Sequence, residues 1–164
     1  LEVAPSKDVD GFHPLSLYTP CTPKGIMDYL KHENVNFISK NAVVIGRSNI
    51  VGRPVAKLLL NESCNVTVCH SKTTDKDLRN YLSQADIIIV AVGKKYLLDH
   101  SYEIKKDAIL VDVGINRIDG KLYGDIEPGF ECAIQTPVPG GVGLLTRVSM
   151  IENLILCYKN HHNL

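Results

Sequence analysis

The run Ile45-Gly46-Arg47-Ser48-Asn49-Ile50-Val51-Gly52-Arg53-Pro54 has the residue types that hold a phosphate against a backbone turn. Gly46 puts no side chain between main chain and ligand, and Gly52 lets a following helix lie close on the preceding strand. Pro54 costs nothing in a first helical turn. The N–H groups and dipole of a helix start favour an anion. The middle glycine of the G-x-G-x-x-G fingerprint is missing, so these residues also suit an ordinary strand-to-helix turn.

The next strand end, Cys69-His70-Ser71-Lys72-Thr73, reads neutral to basic, with no carboxylate before Asp75. Folds that bind NAD usually place an acid here for the ribose 2′-hydroxyl. A 2′-phosphate is repelled by an acid and matched by Arg47, Ser71 and Lys72, which points to NADP. Ser71 and Thr73 also suit helix capping, and His70 reads as a turn residue. Ala91-Val92-Gly93 and Asp112-Val113-Gly114-Ile115-Asn116 end two further strands in small residues. They leave room for a flat ring and carbonyls for a carboxamide, or form plain turns, with Asp112 as a structural acceptor. Gln135-Thr136-Pro137-Val138-Pro139-Gly140-Gly141-Val142-Gly143 is stiff at its start and permissive at its end, which suits a ligand loop leading into a helix near Thr146. His13, His32, His100, His161 and His162 show no metal spacing, and no metal site is expected.

Positioning these residues takes alternating strands and helices. Apolar runs at Ala42–Ile45, Val66–Cys69, Ile87–Val92 and Ile109–Val113 read as strands, most of them buried on both faces. Helices are expected over Val51–Asn61, over Lys76–Gln84 with a cap in Thr73-Thr74-Asp75, and over Pro23–His32 with Thr22 as cap. Val148, Ile151, Leu154, Ile155 and Tyr158 predict the buried stripe of a closing helix over Leu145–Tyr158, followed by a frayed tail to Leu164. A short helix or turn is expected over 93–107. The fold class is α/β: a doubly wound, mostly parallel, Rossmann-like sheet with helices on both faces.

The 164 residues carry 18 Lys+Arg against 18 Asp+Glu, a balance without the footprint of a nucleic-acid or anionic-membrane binder. The longest apolar run, Ile87–Val92, is far short of a spanning helix. Five cysteines without paired spacing read as a reduced, intracellular set, with Cys21 near the expected cleft. A first residue other than Met is read as a processed chain or part of a longer product.

Lys7-Asp8-Val9-Asp10-Gly11-Phe12, Pro20-Cys21-Thr22-Pro23-Lys24-Gly25, Gly46-Arg47-Ser48 with Val51-Gly52, and Pro137–Gly143, in this order, resemble the bifunctional methylenetetrahydrofolate dehydrogenase/cyclohydrolase family. Cys69–Thr73 and Asp112–Asn116 also resemble its motifs. The resemblance implies NADP-dependent oxidation of 5,10-methylenetetrahydrofolate to the methenyl form, then hydrolysis to 10-formyltetrahydrofolate, in one-carbon metabolism. It implies that Gly46, Arg47, Ser48, Ile50 and Val51 bind the cofactor, that Ser71 and Arg47 hold the 2′-phosphate, and that Ala91, Val113, Ile115 and Thr146 surround the nicotinamide. Asp10 would meet the pterin, and Pro139, Gly140 and Gly143 the substrate. The resemblance implies a homodimer; a cytoplasmic location is expected, with no nucleic acid and no membrane.

Three departures are visible. The family's Tyr-x-x-x-Lys pair, whose Lys drives the hydrolysis, has no counterpart before Asp10, so no catalytic residue is identified. Only His13 to Thr19 separates the Asp-Gly and Pro-Cys-Thr-Pro motifs. Leu144-Leu145 and Arg147 replace the usual Pro-Met and small apolar residue. The expected division is a folate-site remnant at 1–22, an NADP-binding domain at 23–148 and a closing helix and tail at 149–164. The alternatives are a non-catalytic NADP-binding module and, more weakly, another NADP dehydrogenase on the same sheet.

Overall fold

A computed structural model of the chain describes residues 3–163. Leu1 and Glu2 of the expected folate-site segment and Leu164 of the expected tail lie outside the described residues.

Five parallel strands carry the domain: β1 (Asn41–Ile45), β2 (Asn65–Cys69), β3 (Ile87–Val90), β4 (Ile109–Asp112) and, after two strands outside this sheet, β7 (Ile134–Gln135). They lie in the order β2-β1-β3-β4-β7. The chain runs from β1 outward to β2 and then returns to β3 on the other side of β1, so the order reverses at the carboxyl ends of β1 and β3. A doubly wound sheet opens a crevice at that point.

The continuous apolar runs split by alternation into two cores. Ala42, Val44, Ile87, Ile89 and Val111 face α1 (Cys21–His32) and α2 (Gly52–Asn61) through Ile26, Leu30, Val55 and Leu59. Val43, Ile45, Ile88, Val90 and Leu110 face the opposite side, where α3 (Asp75–Gln84) contributes Leu82 beside Leu98 and Ile126. Strands covered on both faces need apolar side chains at successive positions. β2, at the sheet edge, is the exception, with Val68 exposed.

Several expectations are corrected. α1 begins at Cys21 rather than Pro23, so Thr22 lies inside the helix instead of capping it. Of the short helix or turn expected over 93–107, it is turns that form. Asn116–Ile118 (β5) and Lys121–Tyr123 (β6) form an antiparallel hairpin that was not anticipated. The closing helix α4 runs unbroken over Val142–His162, including most of the expected frayed tail.

The face of α4 is inverted. Val148, Ile151, Leu154, Ile155 and Tyr158 are all exposed, Ile151 to 58%, whereas Ser149 and Asn153 are buried. Contact with α1 explains this, because a Cβ on Gly25 would lie 2.9 Å from the Leu145 backbone, an approach that small residues permit. Asn153 Nδ2 then donates to the Val9 and Thr19 carbonyls at 2.9 and 3.0 Å, fastening the N-terminal segment to α4. Among the described residues, no helix is long and apolar enough to cross a membrane.

Candidate cofactor-binding site

At the switch point β1 and β3 nearly touch. Ala91 N–H donates to Ile45 O at 2.8 Å, and a Cβ on Gly46, at φ +121°, would lie 2.3 Å from Ala91 O. A Cβ on Gly52 would lie 2.2 Å from Gly46 O, so the first turn of α2 rests directly on the glycine turn. Both positions require glycine by contact with backbone: at Gly52 this is the close helix packing expected from the sequence, whereas at Gly46 the contact is with the neighbouring strand.

Ser48 Oγ accepts from the N–H groups of Val51 and Gly52 at 3.1 and 3.3 Å. The helix start therefore presents the Ser48 hydroxyl proton in place of those two N–H groups. Beside it, the turn after β2 is closed by Thr73 N–H to His70 O at 2.8 Å and by His70 N–H to Thr73 Oγ1 at 3.0 Å. His70 Nδ1 accepts from Lys72 N–H, while Thr74 caps α3 by accepting from Asp77 N–H. Ser71 carries no capping bond to α3 and is exposed.

These elements enclose a cleft of about 550 Å³ whose walls include Gly46, Arg47, Ser48, Ser71 and Ala91. Its far wall, Leu78, Val92, Leu97 and Tyr102 with Asp75 and Lys94, was missed from sequence, because α3 and the turns after β3 meet only in the tertiary fold. A second, smaller cleft of about 150 Å³ opens at the end of β4. Val113 and Ile115 lie on one side, and Pro139, Gly140, Gly143 and Arg147 on the other. The sequence-selected residues thus fall into two groups along the carboxyl edge of the sheet.

Four of them line neither cleft. Ile50 is exposed and Val51 donates to Ser48. Thr146 turns its hydroxyl to Thr22 on α1, 2.9 Å away, and to Val142 O. Asp10 lies beside the first turn of α1, where its carbonyl accepts from Cys21 N–H. Burial first, and then the Asp10 carboxylate, pushes the Cys21 thiol above its ordinary value.

Two buried carboxylates hold the floor. Asp112 accepts from the N–H groups of Gly114, Asp125 and Ile126 at 2.8–3.0 Å, the structural part expected of it. Burial pushes its carboxyl above the usual range, against the pull of those donors. Asp125 accepts from Val92, Gly93 and Lys94 N–H at 2.7–2.8 Å and from Asn116 Nδ2 at 3.0 Å. It joins the ends of β3 and β4 through the hairpin. The local signal for that hairpin was Asp119-Gly120, a two-residue turn with both φ angles positive.

A parallel sheet with a backbone-tight glycine turn at its switch point and clefts at its carboxyl edge is a Rossmann-like, dinucleotide-binding type of domain. Residues 20–162 match the model of the tetrahydrofolate dehydrogenase/cyclohydrolase NAD(P)-binding domain, and the chain belongs to that family. It is 47% identical to the bifunctional protein FolD of Halalkalibacterium halodurans, over 96% of this chain and 60% of that protein. The crystal structure of FolD methylenetetrahydrofolate dehydrogenase/cyclohydrolase from Campylobacter jejuni superposes with a TM-score of 0.91 at 45% identity, covering 97% of this chain and 60% of that one. The Trypanosoma brucei enzyme, solved with NADP and an inhibitor, gives 0.92 at 32% identity, covering 99% and 61%. The chain spans about 60% of the length of these relatives.

Proposed function

We propose that this chain binds NADP in the larger cleft and supplies the cofactor side of a site that oxidises 5,10-methylenetetrahydrofolate to the methenyl form, with hydrolysis to 10-formyltetrahydrofolate following. The observation that carries the cofactor choice is the turn His70–Thr73, whose Ser71 lines the same cleft as Arg47 and Ser48. Arg47 and Ser71 bind the 2′-phosphate, and the Ser48 hydroxyl meets the phosphates that Gly46 lets approach the backbone. NADP, when bound, supplies the hydride acceptor. Ala91, Val113 and Ile115 orient that end, and Pro139, Gly140 and Gly143 wall it from water on the substrate side. Asp10 receives the pterin, and Thr146 stiffens the start of α4 beneath the loop.

In this reading residues 1–22 belong to the folate side, 23–148 to the cofactor domain and 149–164 to the closing helix. Relatives extend beyond the length matched here, and we place the remainder of the folate side, with its hydrolytic lysine, against the exposed apolar face of α4. The assembly is a cytoplasmic homodimer in this proposal. Fluorescence titration of the chain with NADPH and NADH tests the cofactor assignment. At least tenfold tighter NADPH binding, reduced in Arg47→Ala and Ser71→Ala, is expected. Comparable affinities for the two coenzymes would refute it. The chain alone should not convert the methylene to the methenyl form, and turnover at ordinary enzymatic rates would overturn the partition.

A further inference from the structure

Among the described residues, Asp75 is the only carboxylate lining the larger cleft, which it shares with Arg47, Ser71 and Thr73. A bare acid there would repel a 2′-phosphate and accept from a 2′-hydroxyl, the arrangement that selects NAD. This one is not bare. Arg79, one turn further along α3, donates from Nε to Asp75 Oδ2 at 2.7 Å, and the Tyr102 hydroxyl donates to Oδ1 at 3.1 Å. Arg79 is itself held, with its guanidinium carbon 4.4 Å from the Tyr102 ring centroid and Nη1 donating to Ser101 O at 2.6 Å. The hydrogen bond from Arg79 keeps the Asp75 carboxyl below the usual carboxylate range, so at neutral pH a full negative charge is present and paired. Arg79 does not line the cleft.

We propose that Arg79 is a specificity-determining positioning residue: by pairing with Asp75 it cancels the acidic charge on the cleft wall and lets the cleft take the 2′-phosphate of NADP in preference to the 2′-hydroxyl of NAD. This inference rests on the reading that the larger cleft holds NADP. Tyr102 completes the arrangement, because it binds the second carboxylate oxygen and carries the guanidinium on its ring. The pair is solvent-exposed, so the effect is screened and modest, about three- to tenfold in affinity at low salt.

The test is fluorescence titration of the full chain with NADPH and NADH at low ionic strength. Wild type, Arg79→Gln, Arg79→Lys, Asp75→Asn and the double variant Arg79→Gln/Asp75→Asn are compared, with thermal melting to confirm that each is folded. Arg79→Gln should weaken NADPH by about three- to tenfold while leaving NADH within about twofold. Arg79→Lys, which keeps the charge, should retain the preference. Asp75→Asn should leave NADPH binding as tight as wild type or tighter. The decisive arm is the double variant, in which removal of the acid should restore NADPH binding lost with Arg79. An unchanged NADPH/NADH ratio in Arg79→Gln overturns the inference. So does a double variant as weak as the single one, since Arg79 would then act on the phosphate directly. A wild-type chain without NADPH preference removes the cofactor reading and this inference with it, and is recognised before any variant is measured.

Discussion

Gly46→Ala places a methyl carbon 2.3 Å from the Ala91 carbonyl oxygen, against about 3.5 Å for an unstrained contact. The clash is with backbone, and that backbone is not free to move, because Ala91 N–H is bonded to Ile45 O at 2.8 Å. Relief therefore means separating the ends of β1 and β3. Forced overpacking of this kind costs about 1–3 kcal/mol, and holding alanine at φ +121° adds a strain of about 1–3 kcal/mol, so the expected loss is about 2–6 kcal/mol. Gly93→Ala is the matched control: its φ is +75°, yet no heavy atom lies within 4 Å of a Cβ there, so strain alone should act, at about 1–2 kcal/mol. Urea unfolding of both variants isolates the packing contribution, and NADPH titration under folded conditions reads its effect on the cleft. Gly46→Ala should lose at least tenfold in affinity, with Gly93→Ala much less affected. A stability loss in Gly46→Ala within about 0.5 kcal/mol of the control would show that close approach of the strand ends is not what demands glycine.

Two further substitutions probe the frame. Burial pushes the Asp86 carboxyl up, but the hydrogen bonds from Lys105 Nζ and Asn41 N–H, both 2.8 Å, and the charges of Lys105 and Lys40 outweigh it and leave the pKa lowered. A lowered folded pKa stabilises above the unfolded value, and that contribution is lost as pH falls through the folded value. Asp86→Asn should therefore cost about 1–3 kcal/mol at neutral pH, with the gap to wild type closing below roughly pH 4; urea unfolding that shows the same gap at pH 7 and in acid contradicts this. Asn153→Ala strands the Val9 and Thr19 carbonyls and should cost about 2–4 kcal/mol while opening the N-terminal segment to limited proteolysis. Unchanged cleavage before Cys21 would mean that other contacts hold the segment.

The parallel sheet, the glycine turn and the acid-poor turn after β2 are legible in the amino-acid sequence alone. Each of these has a local signal: an apolar run, a glycine between strand and helix and the residue types of one turn are all read within a few positions of each other, although the contact that demands glycine at Gly46 is with Ala91 at the end of the neighbouring strand. The family resemblance is equally a property of short motifs in a fixed order, and it needs no long-range contact to be read. The buried face of α4, by contrast, is set by tertiary contact. Apolar periodicity shows that a face seeks cover, but close packing of Gly25 against Leu145 and the reach of Asn153 to two carbonyls turned the polar side inward. Contacts of the same kind make Thr146 bind Thr22 instead of lining a cleft, let Asp125 tie two strand ends through a hairpin, and bring Asp75 to the cleft already paired with Arg79. The meaning of a polar side chain depends on its partner, and those partners lie on separate elements or one turn away on a helix whose orientation the sheet imposes.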